Sequence, residues 1–213
     1  MAESKIEKSW SNLLDSYEIP TFAKKLILEP LIINQTYLEP ILDAGCGTGY
    51  FSNLLFQKGF QVISIDKNLD LKKIKSHNKF KVNIEDFNFN NKIGDILLIN
   101  VLSCVEPERR IKILKNLKKI KSSASRIFVV NTSEELGSNN FQSKFIQSKK
   151  ISSNVVFLEN KKIDNSHIDF EDYLIGDEEF RKVCKHIGLK IIKYEKLHFP
   201  KEKSTIFDFY ILK

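Results

Sequence analysis

Three glycines at alternate positions follow a short apolar segment and are spaced to bind a ligand through their backbone. Residues 41–50 read Ile-Leu-Asp-Ala-Gly-Cys-Gly-Thr-Gly-Tyr, so that Gly45, Gly47 and Gly49 come shortly after the acidic Asp43. Glycine permits positive φ and lets backbone N–H groups approach a ligand with no Cβ in the way. The pattern indicates a ligand held at the turn between a strand and a helix, although glycine also occurs in plain tight connections.

A carboxylate at the end of the next apolar segment completes a nucleoside-binding pattern. Val62–Ile65 is apolar and is followed by Asp66, 21 residues beyond Gly45. In nucleotide-binding α/β units, an acidic residue about 20 residues after the glycine turn accepts hydrogen bonds from ribose hydroxyls. The alternative is that Asp66 caps a helix beginning near Asn68. The glycine turn and the carboxylate together favour a ligand that contains a nucleoside.

The glycine spacing distinguishes between nucleoside ligands. A dinucleotide site has the pattern G-x-G-x-x-G, whereas this chain has G-x-G-x-G. The segment LDAGCGTG at residues 42–49 resembles motif I of the class I S-adenosylmethionine-dependent methyltransferases, and the resemblance extends over about residues 38–130. It implies S-adenosyl-L-methionine as the cofactor and a Rossmann-like, doubly wound α/β sheet of about seven strands with the last strand antiparallel.

The resemblance also implies a cofactor-binding role for residues in and after the glycine turn. Asp43 would orient the loop and help to hold the amino end of the methionine moiety, the glycines would lie against that moiety and the ribose, and Asp66 would bind the ribose hydroxyls. The full set that the resemblance implies is Asp43, Gly45, Cys46, Gly47, Gly49, Asp66, Asn83, Ile84, Asn100 and Val101.

Two pairs in this set follow later strands. After the third strand, members of the family usually carry an acidic residue and then a small or apolar one, which address the adenine. Those positions are Asn83 and Ile84 in this chain, with Asp86 as the alternative to Asn83. Asn100 and Val101, after the fourth strand, would lie near the sulfonium, while the alternative for Asn100 is a turn residue at the strand end.

The acceptor side of the predicted site carries no specific signature. The chain lacks an N-P-P-Y motif, a Pro-Cys nucleophile and a Lys-Asp-Lys-Glu set. Methyl transfer is an in-line displacement that needs a base only when the acceptor must lose a proton, so the sequence leaves the catalytic residues unidentified. The candidates are Cys104, His167 and Tyr173, while Tyr17 and Cys104 are candidates for contact with the acceptor. Their alternatives are ordinary: a small buried hydrophobe for Cys104 and a solvated strand residue for His167.

Short β-branched segments alternate with helical ones through the centre of the chain, which predicts α/β architecture with a buried parallel sheet. The predicted strands are Ile41–Ala44, Val62–Ile65, Phe80–Ile84, Ile96–Asn100 and Ile127–Val130, with helices at 51–58 and 106–121. A polar loop is predicted from Thr132 to Ser153. After it come a hairpin of Val155–Leu158 with His167–Tyr173, a helix at Asp177–Ile187, and strands at Leu189–Leu197 and Thr205–Leu212.

These elements predict a single domain of 213 residues with four parts. Residues 1–36 form an N-terminal helical cap, and residues 37–131 form the cofactor-binding core. Residues 132–173 are an insert after the fifth strand, which we expect to cover the acceptor. Residues 174–213 supply the last helix and the last two strands.

Composition limits the cell compartment and the partners. Cys46, Cys104 and Cys184 are far apart and have no neighbouring ligands, which argues against a disulfide framework and against a bound metal. No apolar run approaches the roughly 18 residues of a membrane helix, and the charged start lacks the apolar stretch of a secretory signal. We therefore expect a cytoplasmic protein with no membrane partner.

The leading hypothesis is methylation of an O, N or S atom of a small molecule. The net charge, 34 − 27 = +7, permits a rival in which RNA or protein is the acceptor and lysines of the 106–121 helix bind it. Lysines at a helix end are ordinarily solvated, so nucleic acid is not favoured. A dehydrogenase is a lower alternative, and a non-catalytic S-adenosylmethionine-binding regulator is another. The sequence leaves the oligomeric state undetermined.

Overall fold

A seven-stranded sheet forms the centre of the fold, with the strand order β3-β2-β1-β4-β5-β10-β9. The computed structural model describes residues 24–68, 72–76, 78–133, 146–150, 155–160, 168–198 and 205–213. The strands of this sheet are β1 Ile41–Ala44, β2 Val62–Asp66, β3 Asn78–Lys81, β4 Ile96–Ile99, β5 Ile127–Thr132, β9 Ile191–His198 and β10 Thr205–Leu212. Strands β1 to β5 pair in parallel, and β10 is antiparallel to both of its neighbours. The predicted sheet is confirmed, including its antiparallel last strand.

Helices cover both faces of the sheet, which explains why its central strands are apolar on both sides. The helices are α1 Glu29–Ile33, α2 Tyr50–Gln57, α3 Pro107–Ile120 and α4 Asp177–Ile187, with a π-helical turn at Lys24–Leu28 and a 3₁₀ turn at Leu102–Cys104. One apolar cluster includes side chains of α3 and α4, and the other includes side chains of α1 and α2. All residues of β1 and β5 are buried between the two clusters.

Local sequence accounts for the ends of the long helices. Helix α3 begins after Glu106 with a proline at its first position, and its last turn carries Lys118 and Lys119. Proline is favoured at the first helical position, and lysines near the carboxyl end complement the helix dipole. Helix α4 has three acidic residues in its first turn and ends at Gly188.

A buried ion pair closes the end of the sheet opposite the carboxyl ends of the parallel strands. Asp95 precedes β4, and its fully buried carboxylate lies 2.6 Å from the Arg126 guanidinium. The same carboxylate accepts hydrogen bonds from the backbone N–H groups of Leu38 at 3.0 Å and Arg126 at 2.7 Å. It therefore ties together the segments that lead into β1, β4 and β5.

The insert after β5 contains a second sheet of three antiparallel strands. These are β6 Ile146–Lys150, β7 Val155–Asn160 and β8 Ile168–Tyr173, in the order β6-β7-β8. The predicted hairpin is present as β7 and β8, but β6 lies where the sequence predicts a loop. Its sequence, IQSKK, lacks an apolar alternation, and its strand conformation is set by pairing with β7.

Strand β3 begins and ends earlier than predicted, and this moves the residues expected to bind adenine. Its parallel pairing with β2 runs from Ile63↔Asn78 to Asp66↔Lys81, so that the strand ends where β2 ends. The chain then forms a turn in which the N–H of Asp86 donates to the Asn83 carbonyl at 3.1 Å. Asn83 and Ile84 thus belong to a turn after the strand.

Candidate active site

The glycine turn connects β1 to α2 and packs closely against Val101, which follows β4 and Asn100. Gly45, Gly47 and Gly49 have φ of +75°, +54° and +81°. The N–H groups of Gly45 and Cys46 both donate to the Ile65 carbonyl, at 2.8 and 3.0 Å. A Cβ built on Gly45 would lie 2.5 Å from Cγ2 of Val101, so this position requires glycine for its backbone conformation and for its close contact.

Asp66 joins the glycine turn to the end of β2. Its Oδ2 accepts from the N–H of Gly47 at 3.0 Å, and its Oδ1 accepts from the N–H of Asn68 at 2.8 Å. In the described part of the connection to β3, residues 67–68 and 72–76 form turns and bends, so no helix is seen there for Asp66 to cap. The carboxylate lines a cavity at the carboxyl ends of the strands.

Asp43 lies beneath the glycine turn and is held by a chain of buried hydroxyl groups. Its side chain is 3% exposed and accepts a 2.6 Å hydrogen bond from the Ser52 hydroxyl. The hydroxyl of Ser64 in turn donates to that of Ser52 at 2.8 Å. Burial raises the pKa of Asp43 to about 6, with Ser52 opposing the rise and the Asp66 carboxylate adding to it. A positively charged group placed beside Asp43 would stabilise its ionised form.

The turn after β3 contacts the cavity with Asn83, Ile84 and Glu85. Helix α3 holds this turn, because the Asn116 side chain donates to the carbonyls of Ile84 and Phe87, at 2.7 and 2.8 Å. Ile84 is 7% exposed and packs into the core.

The two acids of this turn have different surroundings. Asp86, the predicted alternative to Asn83, is exposed, and it accepts from the Asn83 amide at 3.2 Å. Glu85 lines the cavity, and its Oε1 accepts from Nε and Nη2 of Arg109 at 2.8 and 2.5 Å. Its other oxygen, Oε2, is buried and has no hydrogen-bond partner. Sequence reasoning missed Glu85 and Arg109, although an acid adjoining the expected adenine positions was a usable signal.

Asn100 directly follows β4 and has an uncommon backbone conformation. Asn100 has φ of +53°, in the left-handed region that asparagine tolerates better than most residues. Its N–H donates to the Val130 carbonyl at 2.7 Å, and its own carbonyl accepts from the Cys104 thiol at 3.0 Å. Backbone conformations of this kind cluster at binding sites. Cys104 is half-buried and lines the cavity next to Asn100.

The Cys46 thiol is not poised as a nucleophile. Burial raises its pKa, and the carboxylates of Asp43 and Asp66 raise it further. The thiolate is the reactive form of cysteine, so this neutral thiol acts as part of the cavity wall.

The chain before β1 also reaches the cavity, through Lys24, a residue that the sequence analysis did not single out. Lys24 is 4% exposed and its Nζ lies 4.6 Å from the centre of the Tyr50 ring. The Tyr50 hydroxyl donates to the Glu29 carboxylate. Both Lys24 and Tyr50 line the cavity, beside the glycine turn.

Nearly all of the predicted cofactor-binding residues meet in this one cavity. Every member of the set except Gly49 lines it, as does Cys104. Its volume of about 220 Å³ is well over ten times the space that one water needs. Tyr17 and His167 lie outside the described residues, and Tyr173 is the last residue of β8.

The polar groups of the cavity suit S-adenosylmethionine better than a dinucleotide. Asp43, Asp66 and Glu85 place three carboxylates along it, and S-adenosylmethionine carries donors at its ammonium, its ribose hydroxyls and its adenine amine. A pyrophosphate beside the glycine turn would instead face the negative charge of Asp43 and Asp66. The residues present therefore fit S-adenosylmethionine.

The part of the chain that the structure describes contains neither a metal-binding cluster nor a membrane-spanning helix. Among the residues that the structure describes, no group of three or more His, Cys, Asp or Glu side chains is arranged to hold a metal ion. No helix in the described ranges is long and apolar enough to cross a membrane.

Several solved structures with a similar fold are described as methyltransferases. An S-adenosylmethionine-dependent methyltransferase from Clostridium acetobutylicum is 17% identical with a TM-score of 0.64, over 98% of this chain and 97% of that chain. The CcbJ methyltransferase from Streptomyces caelestis is 12% identical with a TM-score of 0.67, over 100% and 99% of the two chains. The glycopeptide N-methyltransferase MtfA, in complex with S-adenosylmethionine, is 8% identical with a TM-score of 0.64, over 87% and 91%.

The strand order, the glycine turn and these likenesses define the class I S-adenosylmethionine-dependent methyltransferase fold, which confirms the resemblance seen in the sequence. The model of the family described as tellurite resistance protein TehB matches residues 32–141, just over half of the chain. The chain belongs to this family. No curated protein matches the sequence.

Proposed function

We propose that the chain is an S-adenosylmethionine-dependent methyltransferase that methylates an O, N or S atom of a small-molecule acceptor. The observation that carries the proposal is the hydrogen bond from Gly47 N–H to Asp66, which joins the glycine turn to the carboxylate in one cavity. Cys104 and Thr132 also line that cavity, and we expect the acceptor to lie beside the cofactor at these residues.

Each end of the cavity suits one part of the cofactor. Asp43 would accept from the ammonium of the methionine moiety, and Asp66 would accept from the ribose hydroxyls. Asn83 and Ile84 would contact the adenine. Asn100 would lie at the sulfonium end with Val101, since both follow β4 next to the glycine turn.

Methyl transfer requires mainly that the protein align the methyl donor with the acceptor. When bound, S-adenosylmethionine would supply an electrophilic methyl group for transfer to a lone pair of the acceptor, with the demethylated sulfur compound as the leaving group. Ser103, Cys104 and Thr132 line the cavity beyond Asn100 and would position the acceptor by hydrogen bonds. The Cys104 thiol proton is directed to the Asn100 carbonyl, so we assign Cys104 a binding role rather than that of a base.

Two features favour a small acceptor over a polymer. Strand β8 of the insert lies against the Leu102–Cys104 turn, which supports our expectation that the insert covers the acceptor. Two lysines at the carboxyl end of α3 and just after it have structural roles. Lys118 donates to the carbonyls of Ile187 and Gly188, at 2.8 and 3.0 Å, and Lys121 donates to that of Ser125 at 2.9 Å. Lys115 and Lys119 of α3 are exposed, so substituting them tests whether this face binds a polymer.

We also propose a cytoplasmic location for a single-domain protein. Cys46, Cys104 and Cys184 form no disulfide among the described residues, in keeping with a reducing compartment.

The experiment is transfer of labelled methyl groups from S-adenosylmethionine to separated cell fractions. Small metabolites, total RNA and total protein are offered in parallel, with tellurite as a further arm because the family description names tellurite resistance. We expect label in the small-molecule arm, with activity that depends weakly on salt. Label in RNA would favour the rival if RNA binding fell steeply with salt, by about 0.7–0.9 in log–log slope per phosphate, and failed in Lys115→Glu/Lys119→Glu. Cofactor binding with no transfer to any arm would favour a regulator.

A further inference from the structure

Three buried serine hydroxyls, here called the serine chain, lead away from Asp43 through the protein interior. Ser52 of α2 and Ser64 of β2 are fully buried, and Ser76, in the connection to β3, is 1% exposed. The oxygen–oxygen distances are 2.6 Å from Asp43 to Ser52, 2.8 Å from Ser52 to Ser64 and 2.9 Å from Ser64 to Ser76. Side chains from four segments are thus hydrogen-bonded in one line.

The surrounding backbone fixes the position of the serine chain. Asp43 and Ser64 are register partners in the parallel pairing of β1 with β2, so their side chains lie on one face of the sheet. The Asn53 side chain of α2 donates to the Lys73 carbonyl at 2.9 Å and accepts from the Lys75 N–H at 2.7 Å. These two hydrogen bonds hold the segment that carries the third serine against α2.

The ionised form of Asp43 determines the direction of every hydrogen bond in the serine chain. A carboxylate only accepts, and a hydroxyl has one hydrogen to donate. Ser52 therefore donates to Asp43, and Ser64 donates to Ser52. Because the hydrogen of Ser64 is then used, Ser76 is the donor to Ser64. Each donation polarises the next hydroxyl, so the three serines together stabilise the negative charge more than Ser52 alone would.

A protonated Asp43 gains less from the serine chain. Its proton could reverse the three donations, but the hydrogen of Ser76 would then point to the Asn78 carbonyl, 3.5 Å away. That distance is too long for a strong hydrogen bond, whereas hydrogen bonds to a charged acceptor are stronger than neutral ones. The serine chain therefore opposes burial, which raises the pKa of Asp43 to about 6.

Other titratable groups also face Asp43. The Asp66 carboxylate at the end of β2 raises the pKa of Asp43, and Lys24 lines the same cavity. Cys46 in the glycine turn and Tyr37 before β1 interact electrostatically with Asp43, and burial raises the pKa of both. Cys46 and Tyr37 are therefore neutral below pH 7, where Asp43 titrates.

We infer that the three serines are positioning residues, which act as a donor chain that keeps Asp43 ionised and oriented for the ammonium of the cofactor's methionine moiety. The inference rests on the proposed function, in which Asp43 accepts from this ammonium. Because the serine chain acts through Asp43, it governs how the affinity for an ammonium-bearing ligand depends on pH. It does not govern the affinity for the adenosine part.

The test compares two ligands that differ in the group that Asp43 would bind. S-adenosylhomocysteine has an ammonium and a carboxylate, whereas 5′-methylthioadenosine has neither but keeps the adenosine and the thioether. Both are titrated calorimetrically into the purified protein from pH 5 to pH 7, and the contribution of Asp66 to ribose binding cancels in the ratio of the two dissociation constants. The ionised fraction of a carboxyl group with a pKa of about 6 rises about tenfold over this range. We expect the wild-type preference for S-adenosylhomocysteine to rise by the same factor.

Substitutions in the serine chain should move the midpoint of this rise to higher pH. Ser64→Ala interrupts the serine chain beyond Ser52, and we expect an upward shift of about 0.5–1 pH unit, which lowers the preference at pH 6 about two- to fivefold. Ser76→Ala changes a residue outside the sheet and should give a smaller upward shift, and it serves as the test if Ser64→Ala does not fold. Ser125→Ala is the matched control. It removes a fully buried hydroxyl that donates to the Ile93 carbonyl at 3.1 Å, at the opposite end of the sheet, and should leave the midpoint in place.

The outcomes distinguish the inference from the proposed function. A midpoint that stays in place in Ser64→Ala or in Ser76→Ala would overturn the inference, even if both ligands bound more weakly, because that result indicates a merely structural role. An equal shift in Ser125→Ala would also overturn it. A wild-type preference that is independent of pH, with tight binding of S-adenosylhomocysteine, would overturn the inference and leave the proposed function standing. A wild type that binds neither ligand would overturn both.

Discussion

The close contact between Gly45 and Val101 gives a stability prediction with an internal control. Gly45 and Gly59 both have positive φ, of +75° and +90°, so alanine at either position meets the same backbone penalty. They differ in their surroundings. A Cβ on Gly45 would lie 2.5 Å from Cγ2 of Val101, whereas a Cβ on Gly59 would have no heavy atom of the described residues within 4 Å, its two chain neighbours aside.

The different surroundings of Gly45 and Gly59 predict different losses of unfolding free energy on substitution by alanine. A non-glycine residue in the left-handed region costs about 1–2 kcal/mol, which should be the whole loss of unfolding free energy in Gly59→Ala. Overpacking of a well-filled site costs a further 1–3 kcal/mol, roughly, so Gly45→Ala should lose about 2–5 kcal/mol. Binding of S-adenosylhomocysteine should weaken at least about tenfold in Gly45→Ala and stay unchanged in Gly59→Ala, which lies beyond the far end of α2.

Urea unfolding with a constant m-value measures these losses, and calorimetry measures the affinity. A double-mutant cycle adds Val101→Ala, which removes Cγ2 and should return about 1–3 kcal/mol of the loss in Gly45→Ala. Equal losses for the two alanine variants, or no coupling between Gly45 and Val101, would refute the contact on which the placement of the glycine turn depends.

Three further variants test other parts of the account. Asp66→Ala should weaken S-adenosylhomocysteine binding by about 1–3 kcal/mol in calorimetry while the circular dichroism spectrum is retained, and unchanged affinity would leave Asp66 with structural hydrogen bonds only. Burial raises the pKa of Asp43 from 3.8 to about 6, so the folded state favours the protonated carboxyl group. The resulting stability is fully present below pH 3.8 and is lost as pH rises through about 6. The wild type should therefore lose roughly 3 kcal/mol of unfolding free energy over this range relative to Asp43→Asn, and parallel pH curves would contradict this. Asp95→Ala should lower the unfolding free energy by about 2–4 kcal/mol, because it leaves Arg126 without its buried partner. It should spare ligand affinity, and a large affinity loss would refute our placement of Asp95 opposite the cavity.

The fold and half of the site were accessible from sequence because their signals are local. The apolar strands, the glycine turn after Ala44 and the carboxylate at the end of β2 each lie within a few consecutive residues. Glycine spacing and β-branched runs report the backbone requirements directly. The predicted cofactor-binding residues accordingly meet in one cavity, with only Gly49 outside its lining.

The features that the sequence did not predict depend on contacts between distant segments. The end of β3 is fixed by its pairing with β2, which decides that Glu85, and not Asp86, lines the cavity. The orientation of Glu85 depends on Arg109, 24 residues later. Lys24 reaches the cavity only because the helical segment before β1 packs beside Tyr50. Strand β6 has no apolar pattern of its own and owes its conformation to β7.

The central claim is that the cavity binds a sulfur nucleoside, and calorimetric titration of the purified chain tests it most directly. S-adenosylmethionine and S-adenosylhomocysteine are titrated in parallel with NAD under the same conditions. We expect dissociation constants on the order of micromolar for both sulfur nucleosides and no measurable heat with NAD. Binding of NAD with no response to either sulfur nucleoside would contradict the account.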